Sequence, residues 1–453
     1  MQPRISRPLR LVALILAAAG AAGPASAQWD DEEDVEAAAP PWLSGRATLR
    51  YLHREGRGSS QDRDLYGSLR LRGGSASRDD LTAALSIRGA WDADGGGPGG
   101  SFGSLQDGRR DRFAPRLDEA WLGFHSLLGE GELKLGRQTR WDTPVLLHFD
   151  GGAVRAPFAL GDAPGELEVY AGVPEHRWEG ARSGDSVAGG AADLAAWRGG
   201  SLRLDAVLLR DENHFGDRRN TLYSARASHA ADDGRTGGSL AASLLDGDAD
   251  QASADAWWAS ADDALRLTLL ARAQLSSRGD ETLELASFAT VLRRILPYQE
   301  ASLMASWAPG GGGAPVRFDL GAQARSLSDS DAASEFNREF ERYWAAVEFP
   351  ELLAANTSFG FGADLWDSGR DRIVAGNVEL SAGLGGWDCS LGSAFSLYQF
   401  DFYSARERTR VREHYFRARR DLGGDWRLSF GFGLEHDEEE SYRTGQIALE
   451  VSF

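Results

Sequence analysis

Nine arginines stand at alternate positions beside apolar neighbours: Arg70, Arg72, Arg88, Arg203, Arg266, Arg272, Arg317, Arg325 and Arg427. In LRLRG, Leu69 and Leu71 alternate with Arg70 and Arg72, and in LRLTLLARAQL the residues Leu265, Leu267, Leu269 and Ala271 alternate with Arg266, Thr268, Leu270 and Arg272. Successive side chains of a strand point to opposite faces, so these guanidiniums gather on one face. A row of them can set a field that guides an anionic solute or polymer. Asp205, Asp319, Glu435 and Glu450 fall on that same face. If they pair with the arginines, the charges form a cross-strand ladder that only holds a wet surface open.

No other constellation competes as a reaction centre. The eight histidines are scattered, and HExxH does not occur. Proximities such as Asp211 with His214 fall in segments that read as loops, without the converging acid, base and nucleophile that hydrolysis needs. The chain is therefore expected not to be an enzyme, with no catalytic residues, no metal and no cofactor. The alternate carboxylates Asp246, Asp248 and Asp250 lack the distal bidentate glutamate of a calcium loop and read as a solvated turn. Cys389 is the only cysteine, which excludes an internal disulfide and any CxxCH haem attachment. It alternates with Trp387 and Leu391 and reads as a small packing residue. A net charge of −19 makes nucleic acid an unsuitable partner, because phosphate binding depends on a positive field.

Those arginine rows need strands to carry them, and strands run the length of the chain. DLYGSLRLRG, LTAALSIRGAW, VRFDLGAQAR and WRLSFGFGLE all alternate at period two, separated by turn-like breakers such as RGGS, DDGRTGG, GLGG and DLGGD. Counting gives 23 candidates. An even number is expected of a single-chain barrel, so one must be surplus, and the Ala-rich stretches near 188–197 and 251–260 are the weakest. The expectation is an all-β, transmembrane, antiparallel up-and-down barrel of about 22 strands, with 18 to 24 admissible.

The ends of the chain suggest an address. Arg4, Arg7 and Arg10 precede the apolar run LVALILAAAGAA and the small residues Ala25, Ser26 and Ala27, which reads as a secretory signal peptide over residues 1–27. An acidic periplasmic leader is expected over 28–41 and the barrel over 42–453. No later stretch approaches the roughly 18 apolar residues of a membrane helix. At the other end, Ile447, Leu449, Val451 and Phe453 alternate with Gln446, Ala448, Glu450 and Ser452. This strand, ending flush at phenylalanine, resembles the closing strand by which Gram-negative outer-membrane β-barrel proteins are handed to their assembly machinery. Phe453, Val451 and Leu449 are then the expected assembly signal, and outer-membrane lipid and that machinery the expected partners.

A second resemblance lies in GELKLGRQTRWDTPVLLHFDGGAVRAPF, where LGRQ at 135–138 and FDGGAV at 149–154 look like the strand-loop-strand pattern of porin-like and alginate-export-like outer-membrane barrels. It implies that Arg137, Gln138 and Asp150 line one wall of a pore. Tryptophans and tyrosines near strand ends, Trp91, Trp307, Trp366, Trp387, Trp426 and Tyr442, suit interfacial girdles. The function read from these features is an outer-membrane channel passing small solutes or an exported polysaccharide through a polar, arginine-rich lumen. The alternative is a sheath or scaffold around a periplasmic or lumenal protein partner, such as a multihaem cytochrome in an electron conduit or an export lipoprotein, because wide barrels are usually plugged and this chain brings no large plug of its own.

Overall fold

The computed structural model describes residues 42–453 except 57–60, 95–112, 126–128, 142, 144–146, 176–183, 214–215, 277–296, 311–314, 329–338, 353, 369–371, 402–405 and 439. The expected signal peptide (1–27) and acidic leader (28–41) lie outside the described residues.

Twenty-two strands are described, and all belong to one sheet. They are β1 (Leu43–Glu55), β2 (Gln61–Gly73), β3 (Leu81–Asp92), β4 (Phe113–His125), β5 (Glu132–Arg140), β6 (Leu147–Leu160), β7 (Ala163–Pro174), β8 (Ser186–Trp197), β9 (Gly200–Asn213), β10 (Gly216–Ala230) and β11 (Thr236–Leu245). There follow β12 (Asp248–Ala259), β13 (Leu265–Gln274), β14 (Tyr298–Trp307), β15 (Arg317–Leu327), β16 (Phe340–Pro350), β17 (Thr357–Asp367), β18 (Arg372–Leu384), β19 (Trp387–Asp401), β20 (Arg406–Gly423), β21 (Trp426–His436) and β22 (Ser441–Ser452). Sequence neighbours pair antiparallel, as period-two segments joined by tight turns must, and β1 also pairs antiparallel with β22. The sheet therefore closes on itself as an up-and-down β-barrel, which leaves it no free edge.

The Ala-rich stretches suspected of being surplus are both strands, β8 and β12. Their small residues have a packing role: a Cβ at Gly189 of β8 would lie 2.4 Å from the Tyr170 hydroxyl of β7, so the aromatic ring uses the room that glycine leaves. Two-residue turns close β18–β19 and β20–β21. In the first, Gly385 and Gly386 take φ of 58° and 81°, the paired left-handed conformation that matches the twist of a hairpin and that side chains resist.

Contacts divide the chain into two compact units. One holds residues up to 120 with 351–361 and 375–453, the other 121–350 with 362–374. Each has an apolar face left open, with Leu391 and Phe432 more than half exposed in the first unit and Leu240 and Leu208 in the second. The first unit also has a small apolar cluster where the chain ends meet, built from Ala47, Leu69 and Val451 with Leu71, Trp426 and Phe453 against it.

Candidate functional site

The polar face of the first unit follows from register. Arg46 of β1 stands opposite Arg70 of β2, and Arg88 of β3 opposite Ser68. Arg427 of β21 stands opposite Glu450 of β22. Arg46 and Arg427 both reach Glu450, at 3.7 and 3.6 Å, and Arg427 also donates to Asp421 at 2.8 Å. Arg88 donates to Asp118 at 2.5 and 2.8 Å, and Arg72 to Glu119 at 3.1 Å. Glu435 shares the face, opposite Glu413 and Tyr442. At the strand end away from the C-terminus, Arg54 pairs with the buried Asp62 and Asp64, and Tyr66 donates to Asp64 at 2.8 Å.

The second unit repeats the arrangement with different partners. Arg203 of β9 binds Asp193 of β8 at 2.5 Å and Asp205 at 2.9 Å. Arg140 and Arg155 converge on Glu168 of β7, and all three stand on the face of Gln138. Arg325 donates to Glu300 of β14 at 2.7 Å and lies 4.3 Å over the Tyr298 ring. Arg317 approaches Asp319 at 3.6 Å, and Ser306 donates to the same carboxylate.

Most of the predicted arginines are thus held by carboxylates. Three are not: Arg70, Arg266 and Arg272 have no ion-pair partner among the described residues. Arg272 stands in register with Glu300, but that carboxylate is taken by Arg325. Arg70 faces another arginine across the pair, and Arg266 faces Ala259 and Ser306.

Two residues predicted beside the others stand elsewhere. Arg137 and Asp150 are on the opposite, apolar face, with Leu133 and Leu135, while Gln138 is on the polar face. Adjacent strand residues cannot share a face. Arg137 donates to both oxygens of Asp150 at 2.7 Å and reaches Glu175 at 3.2 Å. Of the aromatic residues expected in girdles, Trp307 stacks on Phe318 and Trp387 meets Phe430 on the apolar face. Trp366 instead packs on Phe340 and Arg342, and Tyr442 is buried and donates to Glu440. Both belong to the polar face, because Trp366 shares strand parity with Asp364 and Tyr442 stands opposite Glu435.

The polar face also carries features that alternation does not announce. Leu147, Phe149, Tyr170, Val187, Val207, Leu209 and Leu222 form a buried cluster on the same face as Arg203 and Asp205. Asp250 is fully buried, with donors from Ser243 at 3.1 Å, Gln274 at 2.9 Å and Ser276 at 3.0 Å. A register shift between Ser243 and Leu244 makes Asp250 the extra residue of a bulge. Asp246 turns the other way to accept from Asn220 and Thr221, so the run DGDAD does not converge on a cation. Among the described residues no cluster of metal-ligating side chains occurs. Cys389 lies between Ala382 and Ala418, as a packing residue would.

A closed antiparallel barrel with one apolar exposed face and one ion-paired polar face is the porin-like class of fold. The P pilus usher (PapC) translocation pore superposes with a TM-score of 0.50 at 9% identity, over 91% of this chain and 99% of that one. OccK2 (OpdF) of Pseudomonas aeruginosa gives 0.43 at 13% identity, and a BenF-like porin from Pseudomonas fluorescens Pf-5 gives 0.40 at 11%, each over 91% of this chain and 98% of its own. No protein-family model matches the chain, and no curated protein matches its sequence. What this chain shares with the usher pore is its fold.

Proposed function

We propose that this protein is an outer-membrane channel that passes small solutes through a polar lumen. The carrying observation is the division of one closed sheet into two faces, the first rich in exposed leucine and phenylalanine, the second in paired charge. Exposed apolar area on this scale is costly in water and favourable against lipid hydrocarbon. The face with Arg203, Arg325 and Arg427 is then the lumen, since an arginine at the lipid-facing midplane costs roughly 2–4 kcal/mol.

The selectivity of that lumen rests on few residues. Paired arginines such as Arg203 and Arg427 are neutralised locally and maintain a wet wall, whereas Arg70, Arg266 and Arg272 retain an uncompensated field that favours small anions. The purified barrel in a planar bilayer should give discrete open-channel currents. A barrel that inserts but does not conduct, and that co-purifies with a protein filling it, overturns the channel and supports the sheath; conductance blocked by an acidic polysaccharide would extend the substrate class to an exported polymer.

A further inference from the structure

On the apolar face of the first unit, four neighbouring strands turn from apolar to basic within a few residues of one another along the barrel. Going away from the C-terminus, β21 presents Trp426, Leu428, Phe430, Phe432 and Leu434, then His436. β22 presents Val451, Leu449, Ile447 and Gly445, then Arg443. β20 presents Ala418 and Phe416, then His414, Arg412 and Arg410, and β1 presents Ala47, Leu49 and Tyr51, then His53. Register puts Arg412 opposite His436 and sets His414 and Arg443 on either side of Leu434.

From Trp426 to His436, β21 advances ten residue steps. At ~3.4 Å per residue and a strand tilt of about 40°, that is roughly 26 Å along the barrel axis. A lipid-facing apolar band is about 25 Å tall, so the basic residues begin where hydrocarbon ends. This is the end away from the short GLGG and DLGGD turns, hence the outer leaflet.

The chemistry of the patch is that of an anion site on a chain whose net charge is −19. The Arg443 side chain is 64% exposed, and its ion pair with Glu55 is long, at 3.9 Å. Arg412 is exposed and lies 5.7 Å from the Phe395 ring centroid. His414 and His436 stack with centroids 6.0 Å apart. Arg410 is held by Glu438 at 2.6 Å. The remaining acids of this end, Asp437 and Glu440, bond within the turn beyond, where Glu440 donates its backbone N–H to Asp437 at 2.6 Å. The order is therefore apolar, basic, acidic.

We propose that Arg412, Arg443, His414 and His436 form a docking surface for the phosphate groups of a phosphorylated glycolipid in the outer leaflet. The two guanidiniums, on β20 and β22 with His436 of β21 between those strands, offer forked donors that fit phosphate oxygens, and they stand at the height where such headgroups begin. The inference rests on the membrane-barrel reading above, so its test first establishes insertion.

Full-length barrel is reconstituted in phosphatidylcholine vesicles, and the folded, heat-modifiable band confirms insertion; a barrel that does not insert refutes the membrane reading and this inference with it. Its unfolding temperature is then compared in vesicles doped with lipid A carrying its phosphates, with the same lipid after phosphatase treatment, and with inorganic phosphate added to undoped vesicles. Phosphorylated lipid A should raise it by ~5 °C and the dephosphorylated lipid and free phosphate by far less. In Arg412→Gln/Arg443→Gln, and separately in His414→Asn/His436→Asn, that rise should shrink, while Arg420→Gln near the opposite end should keep it. A native barrel that responds equally to both lipids, or to inorganic phosphate alone, overturns the proposal whether or not the variants fold. So does a double arginine variant that folds and keeps the full rise.

Discussion

Phe453 and Gly45 exchange both backbone hydrogen bonds, at 2.6 and 3.0 Å, and the phenylalanine ring lies over the glycine where a Cβ would stand only 2.7 Å from it. The last residue of the chain thereby locks the seam at which β22 meets β1. Deleting Phe453 removes these bonds, about 1 kcal/mol each, together with an apolar contact to Leu71 and Val451. The truncated chain should assemble at least a few-fold less in the outer membrane, measured as the folded fraction on unheated gels. Gly45→Val should act in the same direction by displacing the ring. Normal levels of both variants would show that the seam does not limit assembly.

The purified protein should require detergent, migrate differently before and after heating, and give a circular dichroism spectrum dominated by strand. A spectrum dominated by helix, or full solubility without detergent, contradicts the exposed apolar face.

Replacing the three uncompensated arginines together, in Arg70→Gln/Arg266→Gln/Arg272→Gln, should move the reversal potential in a salt gradient towards cations. Arg427→Gln, whose guanidinium is shared by Asp421 and Glu450, should move it much less. Equal shifts from paired and unpaired positions would mean that pairing does not decide the field.

Glu168 accepts from Arg140 and Arg155 and is itself buried. Glu168→Ala removes the carboxylate that the buried Arg140 shares with Arg155, which keeps Glu166 at 3.1 Å, and should cost about 3–5 kcal/mol, read as a lower urea midpoint of the folded barrel. Arg140→Met/Glu168→Leu should lose clearly less, because no buried charge is left without its partner.

In the turn between β12 and β13, the Ser260 hydroxyl and the Ala264 N–H donate to Asp262, at 2.6 and 3.2 Å, and hold its carboxyl below the usual carboxylate range. A depressed folded value means that the turn is stabilised above the ordinary carboxylate pKa and loses that support as pH falls through the folded one. Ser260→Ala, which removes the larger cause, should bring the titration of Asp262 back up, as followed by its side-chain NMR shift.

Period-two alternation determined most of the strands and the face each residue takes, because a strand has only two faces and turn residues mark where it ends, while the count of 22 came from the evenness a closed barrel needs. The same rule separates Arg137 from Gln138, adjacent in sequence and therefore on opposite faces, so the GRQ and FDG segments cannot set Arg137, Gln138 and Asp150 on one wall. Which arginines are free was decided only by tertiary structure: Arg272 and Arg325 look alike along the chain, and cross-strand register gives Glu300 to Arg325. The buried Asp250 needed a bulge, a one-residue shift that no local pattern records. The Val207 cluster arises because neighbouring strands place apolar residues at one level of an otherwise charged face, and the basic band of Arg412, His436 and Arg443 arises in the same way. Alternation along a strand is a property of one segment, whereas level across strands depends on how far each has slid past the next.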